Sequence, residues 1–335
     1  MKKCIYAIDA GGSFLKCGLV DETLSVICGT HDSEPADSAN GTEKSIRDAY
    51  KALAARAKAR AASAGYEISA IGMDTPGPFD YATGTFRMTH KYTALYGVSV
   101  LPWFAEDFSG VPVNIMHDST AFILGVSKDL PEEKKNGLAV VMLGTGLGFA
   151  VMKNGKPLLA ANGGPGVSIY RASLHGVEAE ELISARGICE RYATALGCGD
   201  NMPDARQIAE LAKYGDRYAI TTYADTGRLL GELLSPILAE YGIHTLMLGG
   251  QISRDCGLFM PQLRIALEHS ACGFKGEILE APHADDAHLI GAATGCEKNN
   301  PCACSCLRST IGVTAEISRF FGSHSNFLNH NFFEL

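Results

Sequence analysis

No stretch of this chain is long and apolar enough to span a membrane. The longest uncharged run, residues 136–152, is cut by glycines into two short apolar pieces, whereas a spanning helix needs about 20 consecutive apolar residues. A secretory leader is not expected either, because Lys2 and Lys3 precede only a short apolar run that ends at Asp9. There is no basic run either. Lys plus Arg number 29 against 37 for Asp plus Glu, a net charge of −8, which argues against nucleic acid as the main partner. The expectation is a cytoplasmic protein with no membrane partner. The histidines show no ligand spacing. What is present is the mixture of a packed globular protein, 46% hydrophobic and 20% charged. A length of 335 residues gives a prior of about two domains.

Seven of the 11 cysteines are scattered among apolar segments, Cys4, Cys17 and Cys189 among them, where a free thiol serves as a small core residue. The other four, Cys296, Cys302, Cys304 and Cys306, crowd together where Phe, Asn and Ser are also frequent. Their spacing is unlike that of paired zinc knuckles. Charges cancel over residues 296–335, so the whole −8 belongs to 1–295. Residues 297–335 are expected to be a disordered tail outside the catalytic fold.

Along the chain, strands are expected over 4–8, 17–20 and 24–28, with Asp9-Ala10-Gly11-Gly12-Ser13 joining the first two. The pattern returns at 138–143, followed by Gly144-Thr145-Gly146-Leu147-Gly148, a strand over 149–152 and another from Pro157. A strand–glycine turn–strand–turn–strand unit occurring twice implies two related αβ halves. Helices are read at 43–64, 101–108, 121–126, 178–196, 204–214 and 216–241, the last bent at Pro236, and at 286–295. Further strands are read at 68–73, 111–116 and 244–248, the last being the final strand. Alternating strands and helices argue for α/β layers.

The glycine turns let backbone N–H groups converge on an anion without side-chain obstruction. Asp9 at a strand end suits a hydrated Mg²⁺, while Ser13 and Lys16 suit phosphate oxygens; a tight hairpin with an Asp in its turn accounts for the same residues. Two such turns at matching places suggest loops gripping one polyphosphate from both sides. Asp118 follows an apolar strand and precedes Ser119-Thr120. It reads as a helix N-cap or as a strand-end base for a substrate hydroxyl, and the two are compatible. Gly249-Gly250 reads as a helix-entry turn or as a place where a flat ligand such as adenine comes close.

The order Asp9-x-Gly11-Gly12-Ser13-x-x-Lys16, Thr75-Pro76-Gly77-Pro78, Asp118, Leu143-Gly144-Thr145-Gly146-x-Gly148, Leu248-Gly249-Gly250 and Leu289-Ile290-Gly291-Ala292-Ala293 resembles the ROK family of repressors, open reading frames and kinases. That family belongs to the hexokinase–actin superfamily. The resemblance covers about residues 4–296. It implies two related actin-like, ribonuclease H-like domains, 1–118 and 119–285, with a cleft between them and the helix at 286–296 packing back on the first. It further implies an ATP-dependent kinase acting on a hexose or hexose derivative, with Asp118 as general base. Asp9 would hold Mg²⁺ through water, and Gly11, Gly12, Ser13 and Lys16 would face phosphates. Gly144, Thr145 and Gly146 would hold the other side of the phosphates, with Gly249 and Gly250 by the adenosine. Gly77, Pro78, His90, His117 and Glu180 would line the sugar site.

Three departures bear on the sugar. His117 stands where the family has Asn, the sugar loop reads Met88-Thr89-His90-Lys91 without its Asn, and the Glu-x-Gly-His segment appears as Val167-Ser168-Ile169-Tyr170. The zinc loop is missing, so no structural zinc is expected, although Glu180 and Ser184 keep their spacing. Too few residues precede Cys4 for a helix-turn-helix domain, so the repressor branch is not expected. The alternative is a sugar- or nucleotide-sensing binding protein of the same fold with reduced catalysis; an ATPase driving a partner is a third. A homodimer is left open.

Overall fold

The computed structural model describes residues 1–197 and 202–296. The expected tail, with Cys302, Cys304 and Cys306, lies outside the described residues. Two five-stranded sheets carry the fold. The first comprises β1 (Lys2–Ala10), β2 (Phe14–Asp21), β3 (Asp32–Pro35), β4 (Tyr66–Thr75) and β5 (Val113–His117), in the order β3-β2-β1-β4-β5. The second comprises β6 (Leu138–Leu143), β7 (Leu147–Lys153), β8 (Lys156–Pro157), β9 (Thr245–Gly249) and β10 (Glu277–Glu280), in the order β8-β7-β6-β9-β10. In each sheet an antiparallel meander turns at the glycine motif and two parallel strands extend its other side. The repeated unit is therefore a repeated sheet.

Period-two alternation distributes the two faces of each sheet. Tyr6, Ile8 and Ala10 of β1 face a core shared with α1 (Glu43–Ser63) and α2 (Leu101–Asp107), while Ala7 faces the opposite side. Thr42 caps α1 by accepting from the Ser45 N–H, and Ile46, Tyr50, Leu53 and Ala57 form its buried stripe. Gly65, at φ +78°, ends it in the left-handed conformation that glycine adopts without penalty.

In the second sheet, Val141 and Leu143 face a layer made of α5 (Ala179–Ile183), α6 (Ala185–Leu196), α7 (Ala205–Lys213), α8 (Arg217–Glu240) and α9 (Met260–Glu268). Leu138 and Val140 face α3 (Asp118–Ser127), which is followed by the short α4 (Glu132–Lys135). Every residue of α3 from Ser119 to Ser127 is buried, because the helix lies between the second sheet and α10 (Ala287–Thr294). α10 in turn lies on β1 and β4, with Leu289, Ala292 and Ala293 against Ala7 and Val20.

Some expectations require correction. Residues 24–28 form no strand beyond a single bridge, Val26 to Val20. The Asp21 side chain accepts from the N–H groups of Thr23 and Ser25, and Leu24 takes a positive φ, which widens the turn. The edge strand falls later, on polar residues that Arg56 and Arg60 clamp through Asp32 and Glu34. Residues 178–196 are two helices, broken at Ser184 (φ −67°, ψ 175°) because the next N–H, of Ala185, donates to the Gly144 carbonyl. The strand at β9 is not the last, since β10 pairs in parallel beside it. The helix expected over 216–241 is present as α8, with Pro236 inside it.

Candidate active site

Three carboxylates converge where the parallel strands of the first sheet end, the usual position of ligand crevices in open α/β sheets. Asp9 is the last residue but one of β1 and the direct register partner of Asp74, which likewise precedes the last residue of β4. One strand further, His117 ends β5, and Asp118 opens α3. The helix N-cap is His117, not Asp118: its ring nitrogen Nδ1 accepts from the Ser119 N–H at 3.2 Å. Asp118 is thereby freed from the capping role, with its side chain 30% exposed.

Asp118 Oδ1 accepts from the Ser119 N–H at 2.6 Å and lies 2.8 Å from His117 Nδ1. Burial pushes this carboxyl up, but His117, His288 and the Ser119 N–H outweigh it and hold Asp118 well below the usual carboxylate range. His117 stands edge-on to the Tyr81 ring, 6.2 Å between centroids, and beside Gly77, where a Cβ would stand 3.6 Å from the imidazole. The Gly77-Pro78 turn therefore borders the Asp118 site.

Asp74 is completely buried, and neither of its carboxylate oxygens has a hydrogen-bond partner among the described residues. His288 of α10 brings Nδ1 to 3.4 Å from Asp74 Oδ2. Burial and the neighbouring Asp9 push Asp74 up against the opposing pull of His288. His288 is also pushed up, because Asp74, Asp9 and Asp118 outweigh its desolvation. For Asp74 burial is the larger cause and Asp9 adds to it, whereas for His288 the neighbouring carboxylates overcome burial.

The first glycine turn is held from outside. Tyr92 donates its hydroxyl to the Gly11 carbonyl at 2.6 Å, the Ser38 N–H donates to Gly12 at 3.3 Å, and the Ala36 N–H donates to Ser13 at 2.9 Å. A Cβ on Gly12 would stand 3.4 Å from the Lys91 methylenes, so Lys91 lies across the turn. Lys16, the register partner of Asp9, brings Nζ to 3.8 Å from its carboxylate while remaining 61% exposed. Ser13 is exposed.

The second turn is built differently. The Gly144 N–H donates to the Gly146 carbonyl, and a Glu180 carboxylate oxygen accepts from the Leu147 N–H at 2.9 Å. Thr145 is exposed at the tip. Glu180 is also within electrostatic reach of His90, whose pKa is lowered by burial, Lys91 and Arg171 and raised by Glu180. Segment 90–91 of the first half thus touches the first turn and approaches the residue that fixes the second.

Gly249 and Gly250 are explained by packing. A Cβ on Gly249 would overlap the Phe122 ring of α3, and one on Gly250, at φ +85°, would overlap the Leu143 carbonyl. The close approach read from the sequence is therefore made by protein, at these two Cα atoms. Gly249→Ala is expected to destabilise the fold by about 1–3 kcal/mol through overpacking. Gly144 has no heavy atom within 4 Å of an added Cβ, so Gly144→Ala is expected to leave stability within about 0.5 kcal/mol. Thermal unfolding of the two variants side by side checks both expectations.

Sequence reasoning missed Asp74, His288, Lys91 and Arg171. Asp74 carries the same signal as Asp9 and Asp118, a carboxylate ending an apolar strand. His288, alone in an apolar helix, carries none.

The fold has counterparts among known proteins. The glucokinase of Thermotoga maritima is 23% identical over 314 residues, 87% of this chain and 96% of that one. The solved ROK family glucokinase of Streptomyces griseus, in complex with glucose and AMPPNP, superposes with a TM-score of 0.70 at 21% identity, covering 87% of this chain and 98% of that one. A ROK family transcriptional regulator superposes with a TM-score of 0.72 at 16% identity, covering 88% and 77%. The ROK family model itself matches residues 5–168, the stretch that contains both glycine turns and all three carboxylates. Over residues 5–168, and through its relatives and structural neighbours, the chain matches the ROK family.

Proposed function

We propose that the protein is an ATP-dependent sugar kinase that transfers the γ-phosphoryl group to a hydroxyl of a hexose or hexose derivative. The observation that carries this reading is Asp118, an ionised carboxylate oriented by His117 and the Ser119 N–H at the carboxyl ends of the parallel strands. The sugar hydroxyl is bound within reach of Asp118, which accepts its proton as the oxygen attacks phosphorus. The turns at Gly11–Ser13 and Gly144–Gly146 receive the polyphosphate through backbone N–H groups, with Lys16 and Lys91 adding positive charge beside the first. His90, Glu180, Gly77, Pro78 and His117 border the acceptor side.

The donors present fit Mg²⁺: Asp9 offers a carboxylate 16% exposed, next to the unpartnered oxygens of Asp74. When bound, Mg²⁺ supplies charge neutralisation for the triphosphate, and Asp9 is the residue that holds it, through water. The two halves, 1–118 with α10 and 119–285, act as domains that close on the substrates and exclude water.

Incubation with Mg-ATP and a panel of sugars, read as ADP release and phosphorylated product, tests the proposal. The changed segment Val167-Ser168-Ile169-Tyr170 favours one second reading, a sugar- or nucleotide-sensing protein without transfer. Neither product nor ADP with any sugar decides for the sensor, and ADP release without product decides for an ATPase.

His117 provides a pH test. A base acts when deprotonated, so activity falls as pH drops through the pKa of Asp118, which His117 depresses. His117→Gln removes the imidazole that lowers Asp118, so the acid limb of kcat/KM is expected to move to higher pH, toward the ordinary Asp value of about 3.9. An unmoved limb would assign it to another group.

A further inference from the structure

We propose that Asp9, Asp74 and His288 form a protein-borne binding site for one first-row divalent cation of the Mn²⁺ type, occupied without nucleotide or sugar. One ligand atom from each of the three lies within 4.8 Å of the others. They come from three elements, β1, β4 and α10, so the site is a product of the packed fold and not of one loop.

The independent observation is Asp74. Its side chain is fully buried, yet among the described residues neither oxygen has a hydrogen-bond donor and the facing Nδ1 of His288 has no hydrogen-bond partner. A buried carboxylate left in that state is costly. The nearest cationic group does not close on it: Nδ1 and Oδ2 stand 3.4 Å apart, beyond the roughly 2.7–2.9 Å of a charge-assisted hydrogen bond. Two ligands of a single ion stand roughly 3.0–3.4 Å apart when each bond is near 2.1 Å. The gap is thus of the size an ion needs. The His288 ring lies against Phe122, 5.3 Å between centroids, which fixes its plane. Lys16 reaches Asp9 from the exposed side and leaves Asp74 unsatisfied.

The donor set selects the metal class. Mg²⁺ prefers oxygen donors and retains several waters, whereas an imidazole with two carboxylates suits Mn²⁺ and later first-row ions. Mn²⁺ is the probe of choice because thiols of the cysteine-rich residues 296–306 would take up softer ions.

The test uses the full chain, stripped with chelator, without ATP or sugar. Calorimetric titration with Mn²⁺ is expected to show one ion per chain, with Mg²⁺ at least tenfold weaker. His288→Gln and Asp74→Asn are each expected to weaken Mn²⁺ at least tenfold while their metal-free melting stays cooperative. Spin-echo spectra of Mn²⁺ on the unmutated chain are expected to show an imidazole nitrogen, a readout independent of how the variants fold. No saturable binding, equal binding of Mg²⁺, or no imidazole nitrogen overturns the site. The site does not rest on the kinase reading. Mn²⁺ binding without sugar phosphorylation sinks only the kinase, and phosphorylation without Mn²⁺ binding sinks only the site.

Discussion

Replacing Asp118 with Asn is expected to lower kcat for sugar phosphorylation by about 10²–10⁴-fold and to leave ATP binding intact. The amide keeps the size of the carboxylate, and its oxygen still accepts from the Ser119 N–H, as Asp118 Oδ1 does at 2.6 Å. What it loses is the capacity to take a proton. ATP binding is spared because the glycine turns and Lys16, proposed to receive the phosphates, make no contact that passes through Asp118. Single-turnover transfer and equilibrium nucleotide binding, measured on the same preparation, separate the two effects. A variant within tenfold of the parent rate would remove Asp118 from the base role. Stability supplies a further check. The folded pKa of Asp118 lies below its unfolded value, so the charged form stabilises the fold above about pH 4, and that contribution fades as pH falls through the folded pKa. The Asn variant is therefore expected to melt slightly lower at neutral pH, with the gap closing in acid.

The parts of this site legible in the sequence were those with a local signature. A glycine turn between two apolar strands is a short-range pattern, and its recurrence half a chain later announced the duplicated sheet. Asp118 was visible because it follows a strand and begins a helix. Its exact place was not, because whether His117 or Asp118 caps α3 depends on a ring orientation that spacing does not carry. Asp74 has the strand-end signature too, but its meaning arises only from the β1–β4 register that sets it opposite Asp9. His288 arrives from residues far along the chain. The glycines at 249 and 250 show a related limit: a missing Cβ indicates close approach without saying of what, and at the Cβ positions Phe122 and Leu143 make it. Edge strands β3 and β10 escaped because charged side chains and short length hide the alternation that marks β1 and β6.

Gly291→Val is expected to destabilise the protein by at least about 3 kcal/mol, the upper range for overpacking, a fall in Tm of roughly 6 °C or more at 2–4 °C per kcal/mol. The cause is the crossing of α3 and α10. A Cβ on Gly291 would overlap the Ala121 carbonyl, and one on Gly125 would overlap the Ala287 carbonyl. The obstacles are backbone atoms, so no rotamer change relieves them and the helices must separate. Separation withdraws Leu289, Ala292 and Ala293 from Ala7 and Val20, and it moves His288 away from Asp74. Gly257→Ala, where an added Cβ meets no heavy atom within 4 Å, serves as the control and is expected to stay within about 0.5 kcal/mol. Gly125→Val acts on the same crossing from the other helix. Once one substitution has parted α3 from α10, the second finds its clash already relieved. The double variant is therefore expected to cost clearly less than the sum of the singles, the non-additivity of residues that share one contact. Additive losses would mean that the two glycines serve separate contacts, and that α10 is not held to α3 by this reciprocal approach.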